Sequence, residues 1–182
     1  MSLLSYHAIM GLLEKSVVKW AAPENVNATS LDITLGEIVM VELDADPGKD
    51  LTVVSLGERT PLNMLEVNIA DGIILEPGQF ILAQSKEVFN LPSHISAEYK
   101  LKSSMARIGL EHLNAGWCDA GWNGSVLTLE LKNMTQHHRL FIKAGDKIGQ
   151  TVFFEHVAVP AHASYSVRGR YNGDTTVKGI KP

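Results

Sequence analysis

GSVLTLELKN, residues 124–133, alternates like a β-strand and yet carries a carboxylate in its middle. Side chains on a strand point to opposite faces in turn. Leu127, Leu129 and Leu131 therefore share one face, and Val126, Thr128 and Glu130 share the other. The leucine face belongs in a core. The second face has two readings. It can be solvent-exposed, with Glu130 an ordinary surface acid, as most glutamates are. Or it can line a semi-enclosed cavity, where desolvation raises the carboxyl pKa and makes Glu130 a usable acid/base.

Similar runs recur on both sides of this stretch. LDITLGEIVMVEL (31–43), GIIL (72–75), FILAQ (80–84), RLFIKA (139–144) and IGQTVFFEHV (148–157) all read as strands. The turn signals DPGKD, LEPGQF, NLPSH, NAGW, DAGWNG and KAGDK separate them. This spacing predicts one mainly antiparallel β domain over residues 1–182, a barrel or a jelly-roll-like sandwich, with little helix. At the N-terminus, Leu4, Ala8 and Leu12, with Ile9 and Leu13 alongside, predict an amphipathic helix for which Ser5 is a plausible N-cap. Pro23 and ENVNATS then break the pattern, and KSSMARIGLEHL (102–113) can form a short helix or a turn. The last segment, ASYSVRGRYNGDTTVKGIKP (163–182), is polar and without core periodicity, which predicts a mobile tail.

With 182 residues, 45% hydrophobic and 20% charged, the chain has the size and composition of a globular domain with a proper core. No apolar run approaches the roughly 18–20 residues that span a bilayer. MSLLSYHAIMGLLEKS lacks the basic start and cleavage site of a signal peptide. The single cysteine, Cys118, excludes an intrachain disulfide and fits a reducing compartment, so a cytoplasmic location away from membranes is expected. A net charge of −4 argues against a general nucleic-acid binder. Positive charge is nevertheless locally concentrated, at Lys100, Lys102 and Arg107 and again at Arg168 and Arg170.

One cysteine cannot supply the H-x-E and P-C-x-x-C ligands of a zinc deaminase. His137 and His138 are adjacent, so on a strand their rings point apart, and surface placement is expected rather than a metal site. Phosphate-binding glycine loops and a serine nucleophile elbow are also absent from the sequence. KSSMARIGL (102–110) does gather a Lys, two hydroxyls and an Arg, which suits a phosphate-rich ligand and equally suits a capped helix start. In AGWCDAGWNG (115–124) the glycines permit tight turns that either hold Asp119 for chemistry or let it satisfy the turn's own N–H groups.

KSSMARIGL, AGWCDAGW and TLELKN, in this order, resemble the motifs of the dCTP deaminase family, within the dUTPase-like superfamily. NATSLDITLG (27–36) is similar to the family's early strand motif, GDKIGQTVFF (145–154) to its late strand and RGRYNGD (168–174) to its C-terminal lid. The resemblance thus covers nearly the whole chain. It implies a distorted β-barrel of the dUTPase-like type (β-clip), with a short N-terminal helix and a mobile lid over about 163–182. Active sites lie between the subunits of a homotrimer in that family. The implied reaction is zinc-independent hydrolytic deamination of dCTP to dUTP and ammonia, supplying thymidylate synthesis. Mg²⁺ is expected to arrive on the triphosphate, and control by a dTTP effector stays open.

Residue by residue, the resemblance puts Glu130 where the family keeps its general acid/base. Ser103 and Arg107 match residues that reach the reaction centre and the ligand, while Lys102 and Ser104 match triphosphate contacts. Ala115 matches a position whose backbone carbonyl helps hold the water, and Asp119 the carboxylate beside the deoxyribose 3′-hydroxyl. Thr128 and Leu129 lie in the base-binding strand; Gln150, Tyr165 and Arg170 fall at late ligand-contacting positions, and Asp174 lies in the lid.

Three departures bear on the product. Lys102 stands where Arg is usual, losing bidentate phosphate binding. Asp174 replaces a lid Gln and adds negative charge near an anionic ligand. The stretch from Asp119 to Glu130 is one residue longer than the family's and the stretch before it one shorter; a β-bulge near Ser125 could absorb the extra residue and keep Glu130 pointing inward. Asp119 also resembles the residue with which dUTPases activate water against the α-phosphate, so a bifunctional enzyme releasing dUMP and pyrophosphate is the alternative. The altered loop and Asp174 rank dUTP first and dUMP second. A non-catalytic nucleotide-binding module is the third reading, disfavoured because a pure binder has no need of a costly buried carboxylate.

Overall fold

The computed structural model describes residues 1–43, 48 and 50–181, so most of the DPGKD turn, and Pro182 of the tail, lie outside the described residues. The chain runs through β1 (Ser2–Leu3), α1 (Tyr6–Glu14), β2 (Val18–Lys19), β3 (Leu31–Glu42), β4 (Met64–Asn68), β5 (Ile73–Leu75), β6 (Phe80–Asn90) and β7 (Ile95–Leu101). It continues through α2 (Ser103–Arg107), β8 (Leu110–His112), β9 (Trp117–Cys118), β10 (Asn123–Asn133), β11 (Leu140–Ile142), β12 (Lys147–Glu155) and α3 (Tyr165–Arg168). The expected N-terminal helix is α1. It starts after Ser5, whose backbone is extended as an N-cap requires but whose side chain makes no capping bond. Ile9 and Leu12 supply its buried face.

One sheet carries the order β8-β10-β6-β3-β12-β7-β9, with β1 on β12, β2 on β6 and β4 on β3; β5 and β11 pair separately. Every strand pairing is antiparallel. The sheet curls until its two ends meet. Tyr99 of β7 and His112 of β8 touch across the seam, with ring centroids 4.7 Å apart. Inside, fully buried Phe89 and Phe153 stack at 6.5 Å, flanked by Ile33, Leu35, Ile81, Leu129 and Leu131. Each such side chain contributes about 1.5–3 kcal/mol by leaving water. The result is the mainly β, distorted barrel that the turn spacing and the family resemblance both imply.

The extra residue between Asp119 and Glu130 is absorbed at the start of β10. Asn123 pairs with Asn90 and Ser125 with Phe89, so Gly124 is the surplus residue of a β-bulge. Its φ of 65° is a left-handed value that glycine adopts without strain. A second register shift follows between Val126 and Thr128, and beyond it Glu130 falls directly opposite Leu82.

The C-terminal segment is docked rather than free. Val177 is only 1% exposed, and its N–H donates to Gln84 Oε1 at 2.8 Å. Trp122 Nε1 donates to the Tyr171 carbonyl at 2.8 Å. Lys181 Nζ donates to both Asp174 carboxylate oxygens at 2.7 and 2.6 Å and lies 5.2 Å from the centre of the Tyr171 ring. A single anchoring valine in a polar run leaves no periodicity, which is why the sequence reads as an undocked tail.

Candidate active site

Glu130 stands on the wall of an open cavity of about 850 Å³ lined by β10, β6, the 54–64 segment, the 115–122 loop and the C-terminal segment. Val126, Thr128 and Glu130 line it, and so does Leu127 at the register shift, whereas Leu129 and Leu131 are wholly buried on the opposite face. The cavity reading of that face is therefore the correct one. Burial pushes the Glu130 carboxyl above its ordinary pKa, and its backbone hydrogen bond offsets only part of the rise. Its Oε2 is 3.4 Å from His112 Nε2. Burial also pushes the His112 pKa down, to about 4, so the ring is neutral near pH 7 and the contact is not an ion pair.

Asp119 lines the same cavity. Trp117 Nε1 donates to its Oδ1 at 2.9 Å. The indole is itself held, with Trp117 paired to Glu98 of β7 and its ring stacked on Phe154 at 6.1 Å between centroids. One oxygen of Asp119 is thus committed, and among the described residues the other has no hydrogen-bond partner. Asp174 also reaches the cavity, with its charge already matched by Lys181.

Of the residues singled out from sequence, Ala115, Asp119, Thr128, Glu130, Tyr165 and Asp174 line this cavity. Burial raises the Tyr165 phenol above its ordinary pKa. Leu129 lies on the base-binding strand, but its side chain belongs to the core, so only its backbone can meet a ligand. Lys102, Ser103, Ser104, Arg107, Gln150 and Arg170 are not brought to the cavity of their own chain. The two serines and Arg107 are exposed on α2. Lys102, just before them, is 2.6 Å from buried Asp32. Asp32 pairs in register with Gln150 on β12 and also accepts from Asn27 Nδ2 at 2.9 Å. The candidate set therefore divides into residues that line the cavity, both carboxylates Glu130 and Asp119 among them, and residues that do not, Lys102, Arg107 and Arg170 among them.

The sequence reading missed Trp117, His112, Tyr99 and Lys181. Trp117 could have been found, since residues i and i+2 of an extended segment share a face and the indole has one donor for one acid. Tyr99 and His112 meet across strands, and Lys181 meets Asp174 in an aperiodic segment, so none of the three carries a local signal. His137 and His138 are exposed, as expected. Among the described residues no three His, Cys, Asp or Glu side chains gather as metal ligands would. Nor is any helix among them long and apolar enough to cross a membrane.

The fold and the site together define a curled antiparallel barrel that holds a desolvated carboxylate on its cavity wall. Residues 3–156 match the family described as dCTP deaminase-like, and the chain belongs to that family. It is 41% identical over 133 residues to a Methanosphaerula palustris protein named dCTP deaminase, dUMP-forming, covering 72% of this chain and 68% of that one. A protein of the same name from Persephonella marina is 35% identical over 150 residues, covering 81% and 78%. The crystal structure of 2′-deoxycytidine 5′-triphosphate deaminase from Agrobacterium tumefaciens is similar with a TM-score of 0.65 at 26% identity, over 83% of this chain and 48% of that one. The chain thus matches about half the length of that protein.

Proposed function

We propose that the chain deaminates dCTP and carries the product on to dUMP, the reading that the sequence ranked second. The observation that carries it is the pairing, in one cavity, of Glu130 with its raised pKa and Asp119 with one oxygen fixed by Trp117. The names of the relatives support the same product. The two features that ranked dUMP second lose their force. Despite register shifts at Gly124 and between Val126 and Thr128, Glu130 still lines the cavity. The charge of Asp174 is neutralised by Lys181 at 2.6 Å.

In the first step Glu130 takes a proton from a water adding to C4 of the cytosine and passes it to N3. It then takes the proton of the new C4 hydroxyl and delivers it to the departing amine as the C4 carbonyl forms, so dCTP and water become dUTP and ammonia. Ala115 and Thr128 line the same cavity and are assigned to hold that water and to face the base. A carboxyl poised above its ordinary pKa serves both directions of transfer. In the second step Asp119 takes the proton of a water attacking the α-phosphorus, and dUTP and water become dUMP and pyrophosphate. Such displacement depends on holding the water in line with the leaving group, which the Trp117 bond serves.

Mg²⁺ fits as a passenger of the triphosphate, since phosphate oxygens supply the donors and no protein cage of three ligands is gathered among the described residues. Bound there it neutralises the leaving pyrophosphate. Ser103, Ser104 and Arg107, exposed outside the cavity, support a homotrimer in which a second copy brings α2 over the mouth. Gln150 and Arg170 are assigned to phosphate contacts in that assembly, with Lys102 held ready by Asp32. The test is to incubate the protein with dCTP and Mg²⁺ and separate the nucleotides. Appearance of dUMP without accumulating dUTP is expected; dUTP as the end product would restore the monofunctional reading.

A further inference from the structure

Among the described residues, four buried side-chain polar atoms find no hydrogen-bond partner: Tyr99 Oη, His112 Nε2, Glu130 Oε2 and Thr151 Oγ1. Glu130, His112 and Tyr99 adjoin one another, and strand register sets Thr151 beside Tyr99. His112 Nε2 is 3.4 Å from Glu130 Oε2, the His112 and Tyr99 rings are 4.7 Å apart, and Thr151 stands directly opposite Tyr99 in the β12–β7 register. The file therefore runs from the cavity carboxylate of β10 through β8 to β7 and β12, along the seam where the sheet closes. Tyr99, His112 and Thr151 are 3%, 4% and 0% exposed. Gly149 makes room for the phenol, since a Cβ there would stand 2.2 Å from Tyr99 Oη.

Buried polar groups are nearly always satisfied, by protein or by ordered water. These atoms are enclosed within a single chain, so a second subunit cannot reach them. A molecule the size of water can, and internal waters settle where about two to four polar partners converge. We propose that Tyr99, His112 and Thr151 enclose a buried hydration site behind Glu130, whose water holds the inner carboxylate oxygen and turns the outer one toward the nucleotide. The functional half of this inference rests on the acid/base role proposed for Glu130.

Tyr99, His112 and Thr151 act here as positioning residues. A water that donates to Oε2 favours the charged carboxylate and so limits the rise in pKa that burial causes. On the cavity side the titratable and charged groups are Cys118, Asp119, Tyr165, Tyr171, Asp174, Lys178 and Lys181. On the inner side they are His112 and Tyr99, and β6 presents uncharged Leu82 directly across. Substitution of Tyr99 or Thr151 leaves the cavity-side set unchanged.

The experiment is Tyr99→Phe and Thr151→Val, each removing one hydroxyl and keeping the side chain's shape. The Glu130 carboxyl is titrated in ligand-free protein by ¹³C-glutamate NMR, and kcat/KM for dCTP is followed against pH. Loss of a hydrogen-bonded partner should raise the carboxyl pKa by about half to one pH unit in Tyr99→Phe. Thr151→Val, farther along the file, should move it the same way by less. The acid limb of kcat/KM should shift by the same amount. A carboxyl shift in proteins that never turn over dCTP would keep the hydration site and end the acid/base reading. Wild-type titration in both variants, or in Thr151→Val alone if Tyr99→Phe does not fold, would overturn the site.

Discussion

Glu130→Gln separates chemistry from stability, and the structure gives a sign to each. The amide keeps the volume of a side chain that is 26% exposed and leaves the neutral His112 ring beside it. It cannot carry protons between water, N3 and the leaving amine. Loss of a general acid/base costs about 10²–10⁴ in rate, a barrier increase of about 2.7–5.4 kcal/mol at 1.36 kcal/mol per decade. Stability should move the other way at neutral pH. Burial holds the folded carboxyl above its ordinary pKa, so the unfolded chain loses this proton first as pH rises. Below the unfolded pKa both states are protonated and no penalty exists. Wild type then loses stability as pH climbs through the folded value, and above that the loss is complete. Glutamine suffers no such loss. Single-turnover rates with dCTP, calorimetric dCTP binding and melting temperatures across pH 4–8 measure all of this. The variant should bind dCTP, turn it over slowly, and melt higher than wild type near neutrality, with the difference vanishing at the acid end. Near-normal turnover, or a variant less stable than wild type at neutral pH, would refute the reasoning.

Three further outcomes follow from the same geometry. Asp119→Asn should release ammonia from dCTP while dUTP accumulates, and Trp117→Phe, which keeps the stack on Phe154 and removes the 2.9 Å donor, should shift the product ratio the same way more weakly; dUMP at the wild-type rate from both would remove Asp119 from the second step. Mixing inactive Glu130→Gln with inactive Arg107→Ala after subunit exchange should recover activity if α2 of one copy completes the cavity of another, whereas no recovery would place the whole site in one chain. Val177→Asp puts a charge where the side chain is 1% exposed, and should cost about 1–3 kcal/mol of local stability. Limited proteolysis should then cut near 171–181 and deamination should fall; an uncut, fully active variant would deny the C-terminal segment its covering role.

Alternation from 126 to 131 placed Glu130 and Thr128 on one face without any structure, because strand periodicity is local and strict. The curl that makes that face a cavity was not legible from periodicity. It depends on the register of seven strands and on the Tyr99–His112 contact that joins the first end to the last. The bulge could be anticipated near Ser125 from the count of residues, and a glycine next to it carries the surplus. Lys181 and Asp174 lie seven residues apart in an aperiodic segment, so their pairing belongs to the docked path of the chain and to no sequence rule. The same holds for Lys102 and Asp32, 70 residues apart. Leu129 shows the converse limit: motif position put it at the ligand, while its side-chain direction put it in the core.

Two hydrolytic steps at one cavity leave two marks, and a single isotope measurement reads both. The protein is incubated with dCTP and Mg²⁺ in H₂¹⁸O, and the product is analysed by mass spectrometry with fragmentation between base and phosphate. Water attack at C4 leaves one ¹⁸O on the uracil ring, and water attack at the α-phosphorus leaves a second on the phosphate. The account predicts dUMP carrying both labels. A product that remains dUTP with label on the base alone would contradict it.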